Sequence, residues 1–157
     1  MILKIAVLSG DGIGPEVTEQ SIKVLKSLGK KFNHKIELES GLVGAVAIDK
    51  YNDPYPDETH QVCLNSDAIL FGAIGDPKYD NDPKAKVRPE QGLLKMRKKL
   101  GLYANLRPTK VFESLLEMSP IKEERISGTD ILFVRELTGG IYFGERGRKD
   151  NDNFAFD

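Results

Sequence analysis

The chain has 157 residues, 39% of them hydrophobic and 30% charged, with a formal net charge of −1. The length and apolar content suit a compact fold and argue against wholesale disorder. Balanced charge gives no reason to expect a nucleic-acid or anionic-membrane partner, and no apolar run approaches the roughly 20 residues of a membrane-spanning helix. The single cysteine, Cys63, excludes an intramolecular disulfide and a cysteine-rich metal site. With no basic n-region ahead of an apolar h-region, the expected compartment is the cytoplasm.

The elements alternate. Ile2–Leu8 is a nearly continuous apolar run of the kind buried on both faces of a parallel sheet. Glycines at 10, 12 and 14 follow, and Pro15 sits where a helix would begin, with Glu16 in its first turn. Val17, Ser21, Val24, Leu25 and Leu28 keep helical spacing, and Gly29 offers a C-cap. Lys35–Leu38 reads as a strand, Asp57–Leu64 as a helix and Ala68–Phe71 as a third strand. That alternation is the α/β pattern. A long polar loop spans Gly75–Pro89, a length often associated with function. A helix over Pro89–Leu100 ends at Gly101. Strands are then expected at Tyr103–Phe112 and Ile131–Thr138, with a short helical stretch around Val111–Met118 between them and a further strand at Ile141–Phe143. The change of texture puts a domain junction near residue 102, dividing the chain into 1–102 and 103–157.

Three groups of residues carry chemistry. The turn Gly10-Asp11-Gly12-Ile13-Gly14-Pro15-Glu16 joins a strand to a helix, but it lacks the Gly-x-Gly-x-x-Gly spacing of a dinucleotide fingerprint and the Gly-Lys-Ser/Thr of a P-loop. It reads first as a tight structural turn, with a ligand loop as the alternative. Glu90, Leu93, Leu94 and Arg97 share one helix face. That face fits either an amphipathic helix with snorkelling ends or a site for a molecule with one apolar branch and one anionic group. Arg107 and Arg135 lie in predicted strands; an arginine on the apolar side of a strand is costly unless paired, and its planar fork matches carboxylates. With Arg97 they point either to a dicarboxylate or phosphate site or to internal salt bridges. His34 and His60 read as solvated and Cys63 as a small buried helix residue. Asp150, Asp152 and Asp157 lack metal-loop spacing.

Several segments resemble the β-decarboxylating dehydrogenases, the isocitrate/isopropylmalate group. Gly10 to Val17 is similar to their N-terminal signature. Leu93-Leu94-Lys95-Met96-Arg97-Lys98 and Leu106-Arg107-Pro108 resemble their substrate-arginine segments, and Val134 to Glu145 resembles the segment with a third arginine and the catalytic tyrosine. The resemblance runs in order along the chain. It implies that family's α/β fold, distinct from the Rossmann fold, cut across two domains. Residues 1–102 would belong to the first, cofactor-side domain, and 103–157 would open the second, which carries substrate residues and forms a homodimer.

The resemblance also implies roles. Arg97, Arg107 and Arg135 would clamp the substrate carboxylates, and Tyr142 would take part in proton transfer after decarboxylation. Leu93 and Leu94 would wall an apolar branch where isocitrate-type relatives carry small polar residues, which points to 3-isopropylmalate. Isocitrate, homoisocitrate, tartrate and methylmalate remain alternatives. Ile13, Gly75, Asp76, Pro77, Lys78, Arg88, Pro89 and Glu90 would adjoin NAD. The Mg²⁺ or Mn²⁺ ligands and the catalytic lysine are expected beyond residue 157, so a chain of this length is expected to be an inactive N-terminal portion. The apolar ending Phe154-Ala155-Phe156-Asp157 agrees with that expectation. A non-catalytic, stand-alone anion-binding module is the competing class.

Overall fold

A computed structural model describes residues 1–80, 86–137, 139, 143, 147–149 and 154–156. The chain divides into two compact units, Met1–Leu100 and Gly101–Asp157.

In the first unit the order is β1 (Ile2–Gly10), α1 (Gly14–Phe32), β2 (Lys35–Ser40), α2 (Ala45–Tyr51), α3 (Asp57–Leu64), β3 (Ala68–Ala73), α4 (Pro77–Asp80) and α5 (Glu90–Leu100). The three strands form a parallel sheet in the order β2-β1-β3. Central β1 is buried from Ile5 to Leu8, which is why that run is almost wholly apolar. Side chains alternate across it. Ala6 and Leu8 face a cluster with Cys63 of α3 and Met96 of α5, together with Val43 and Tyr55. The register pairs Ala6 with Ile69 and Leu8 with Phe71, so β3 adds those two to the same layer.

The opposite face of the sheet carries α1, and here the expected stripe is corrected. Val17, Val24 and Leu28 are exposed. The buried residues of α1 are Gly14, Thr18 and Gly29, small residues that let the helix lie close to the strands. A Cβ on Gly29 would stand 3.0 Å from the Ile36 side chain, and one on Gly72 would stand 2.6 Å from the Thr18 hydroxyl. Hydrophobic periodicity alone could not show that close backbone approach outweighs side-chain volume at this contact. Gly29 is therefore a packing residue and not the cap. The helix runs on to Phe32, and Asn33, at φ 55°, forms the left-handed C-cap with its N–H on the Gly29 carbonyl.

In the second unit β4 (Ala104–Lys110) pairs antiparallel with β5 (Asp130–Glu136). A 3-10 helix (Glu113–Met118) and α6 (Glu123–Ile126) lie between them in sequence. A second antiparallel ribbon joins β6 (Gly147–Lys149) and β7 (Phe154–Phe156). The strand expected over 141–143 lies mainly outside the described residues; Phe143 is described, and it is not assigned to a strand.

Candidate functional site

The switch in strand order lies between β1 and β3, because the chain leaves β1 for β2 on one side and later reaches β3 on the other. Open α/β sheets bind ligands beyond the carboxyl ends of their strands at such a point. The Gly10–Gly14 turn sits there. Gly10 has φ +71°, and a side chain on it would run into the Ala73 carbonyl. The Asp11 N–H donates to that same carbonyl at 2.7 Å.

The Asp11 side chain fills the middle of the turn. It is only 3% exposed. Its Oδ2 accepts the N–H of Ala45 at 2.8 Å and of Gly75 at 3.2 Å, and its Oδ1 accepts the N–H of Val46 at 3.1 Å. The turn's carboxylate is thus bound up with the protein's own backbone, tying the turn to α2 and to Gly75. On this geometry the turn is structural.

Beside it lies an open ledge. Ile13, at the N-cap of α1, is 62% exposed. A Cβ on Gly12 would stand 3.6 Å from the Gly75 carbonyl, and one on Gly75 (φ +132°) would approach Glu90 Oε1 at 3.4 Å. Gly12 thus lies against Gly75 and Gly75 against Glu90, and Ile13 follows Gly12 in the chain. Asp76 accepts the Lys78 N–H at 2.9 Å and its own carbonyl accepts the Tyr79 N–H, so it starts α4 behind exposed Pro77. Lys78 Nζ donates to Asp49 Oδ1 at 2.6 Å and the Tyr79 hydroxyl donates to the same oxygen at 2.7 Å. These two donors hold the Asp49 carboxyl below its ordinary range. Arg88 is exposed, with its N–H on Gln91 Oε1 at 3.1 Å. Pro89 is fully buried, so it acts through the chain path it sets at the start of α5 and not by side-chain contact. Residues 81–85, in the middle of the expected loop, lie outside the described residues.

Along α5 the shared face divides. Glu90 is exposed at the first turn, Leu93 packs against the core cluster, and Leu94 and Arg97 are half-buried. Lys95 and Lys99 pair with Asp53 at 2.5 Å and Asp57 at 2.6 Å, tying α5 to the segments before and within α3. Among the described residues Arg97 has no such carboxylate.

The second unit brings two further arginines together. The β4–β5 register sets Asn105 opposite Arg135 and Arg107 opposite Phe133. Residues directly opposite share a face, so the two guanidinium side chains belong to the same face of the ribbon as diagonal neighbours. Arg107 Nε donates to Asn105 Oδ1 at 2.6 Å. Arg107, Thr109, Phe133, Val134 and Arg135 line a shallow depression there. Tyr142 lies outside the described residues.

Two features escaped the sequence reading. Helix α2 is one, and the ties of Asp11 and Asp49 are the other; the only local hint was an aspartate between two glycines. His60, expected to be solvated, is half-buried with Nδ1 3.1 Å from the Tyr55 hydroxyl. Burial and the neighbouring Cys63 thiol push the Tyr55 hydroxyl far up from its ordinary range. Cys63 is buried, as expected.

A profile described as isocitrate/isopropylmalate dehydrogenase matches residues 4–157. The chain belongs to this family. It is 58% identical over all 157 residues to a 3-isopropylmalate dehydrogenase of Bacteroides fragilis and 56% identical over 146 residues, 93% of the chain, to that of Bacillus subtilis. It spans 44% and 40% of those proteins, less than half of their length. A crystal structure of a β-decarboxylating dehydrogenase from Thermococcus kodakarensis superposes with a TM-score of 0.65 at 32% identity, covering 99% of this chain and 39% of that one. The fold expected from the Gly10–Val17 and arginine segments is thus the family's fold. Among the described residues no three His, Cys, Asp or Glu side chains are grouped to hold a metal ion, and no helix is long and apolar enough to cross a membrane.

Proposed function

We propose that this chain is the N-terminal part of an enzyme that carries out the NAD-dependent, metal-requiring oxidative decarboxylation of 3-isopropylmalate in leucine biosynthesis as a cytoplasmic homodimer, and that the 157 residues alone do not turn over. The observation that carries the reading is the shared face of Arg107 and Arg135, two cations that a dicarboxylate would bridge. The likeness along the whole chain to enzymes of that name supplies the choice of acid.

The residues divide the work. Arg97, Arg107 and Arg135 bind the two malate carboxylates, and their charge holds the departing carboxylate in line. Leu93 and Leu94 face the isopropyl branch; because Leu93 also packs into the core, Leu94 is the freer of the two to meet substrate. Tyr142 delivers a proton to the carbon that has lost carbon dioxide. The ledge of Ile13, Gly75 and Glu90 fits a flat ring, since Gly12 and Gly75 leave its floor without side chains. Gly75, Asp76, Pro77, Lys78 and Arg88, with the chain path set by Pro89, are the further residues assigned to the cofactor side. NAD held on this ledge would supply the hydride acceptor for oxidation at the hydroxyl-bearing carbon. Among the described residues no group of three His, Cys, Asp or Glu side chains fits Mg²⁺ or Mn²⁺.

A panel of 3-isopropylmalate, isocitrate, homoisocitrate, tartrate and methylmalate, each offered to the native gene product with NAD and Mg²⁺, tests the reading. Fastest NADH formation from 3-isopropylmalate is expected. Preference for any other acid rejects the substrate, and no turnover of any acid rejects the enzyme.

A further inference from the structure

We propose that Asp11 is a positioning residue for the cofactor side of the site. This rests on the reading above, in which the segment from Gly75 adjoins NAD. Three separate stretches of chain meet at this carboxylate: the turn that carries it, the first residues of α2, and Gly75. Its partners Ala45 and Gly75 lie 34 and 64 residues away in sequence. The carboxylate is buried, and among the described residues it has no ion-pair partner. Backbone N–H groups alone compensate its charge, a strong arrangement because each bond is charge-assisted.

The surroundings are built for this contact. Gly44 has φ +84°, and a Cβ there would collide with the Asp11 carboxylate. Helix α2 then reaches the same segment a second time. Asp49, one turn beyond Ala45, holds Lys78 and Tyr79. Asp11 fixes Gly75 and Asp49 fixes the start of α4, so one short helix brackets residues 75–79 from both ends. Removing the Asp11 charge frees the Gly75 end of that bracket while the core contacts of β1 stay intact.

Asp11→Ala removes both acceptor oxygens, so the N–H groups of Ala45, Val46 and Gly75 all lose this partner. In the native gene product it is expected to raise the KM for NAD at least tenfold, to leave kcat and the KM for the acid within about threefold, and to speed amide exchange at Gly75 by tenfold or more. An unchanged KM for NAD overturns the proposal. So does an equal rise in both KM values, which marks a merely structural role. Exchange in the wild-type protein serves where the variant does not fold: NAD should slow Gly75, Ala45 and Val46 together, and protection of Gly75 alone overturns the proposal. A wild-type protein with no NAD-dependent turnover sinks the functional reading. Joint protection of the three amides without NAD still supports the structural tie in that case, and its absence removes the tie as well.

Discussion

Arg107 donates through Nε to Oδ1 of Asn105, two residues back along β4, at 2.6 Å. Asn105 also stands directly opposite Arg135 in the ribbon. The amide thus fixes the direction of one guanidinium next to the other. Asn105→Ala should raise the KM for the dicarboxylate by about tenfold, the worth of one hydrogen bond to a charged group at about 1.4 kcal/mol. The KM for NAD should not move. Steady-state kinetics with each substrate varied in turn reads both values, and an unchanged KM for the acid refutes the role.

Much of the architecture could be read from the chain because it is written in local patterns. The apolar run of β1, the bounds of α3 and the last residue of α5 all follow from side-chain pattern and neighbouring glycines. Helix α2 could not be read this way. It has seven residues, and its cap comes from Asp11, far away in sequence, so no local cap signals it. The arginines were legible individually, but their shared face depends on the register between β4 and β5. No property of either strand alone sets that register.

The two leucines of α5 should separate under mutation. Leu93 packs against Met96 and the Cys63 layer, so Leu93→Ala should cost about 2 kcal/mol of stability, near the low end for core leucines because it is only half-buried. Leu94→Ser should leave the unfolding midpoint nearly unchanged and lower kcat/KM for 3-isopropylmalate by about tenfold, within the 1–3 kcal/mol range of one apolar pocket contact. Denaturant unfolding and kinetics on both variants check the split.

The bracket at Asp49 should be acid-sensitive. Its carboxyl is held below the ordinary 3.8, first by the hydrogen bond from Lys78 and then by that from Tyr79. A depressed carboxylate pKa adds stability that is complete above 3.8 and is lost as the pH falls through the lower, folded value. Docking of α4 on α2 should therefore loosen in that acid window and weaken with added salt, since both partners are largely exposed. Amide exchange at Tyr79 against pH measures it, and Asp49→Asn should flatten the profile.

Gly10 tests the turn. At φ +71° with the Ala73 carbonyl in the path of any side chain, Gly10→Ala should destabilise the first unit by about 2–4 kcal/mol. Gly101, also at positive φ but with nothing within 4 Å of an added Cβ, should cost about 1 kcal/mol on the same change. Equal losses at the two sites, read from urea midpoints, would contradict the close packing of β1 on β3.

The central claim is that Arg107 and Arg135, on one face of the β4–β5 ribbon, hold a malate-type dicarboxylate for oxidation and decarboxylation. The most direct measurement is the joint yield of NADH and carbon dioxide when the native gene product is given 3-isopropylmalate, NAD and Mg²⁺. One NADH per carbon dioxide, abolished together in Arg135→Ala, is the predicted result. NADH without carbon dioxide, or no reaction in a folded protein, would contradict it.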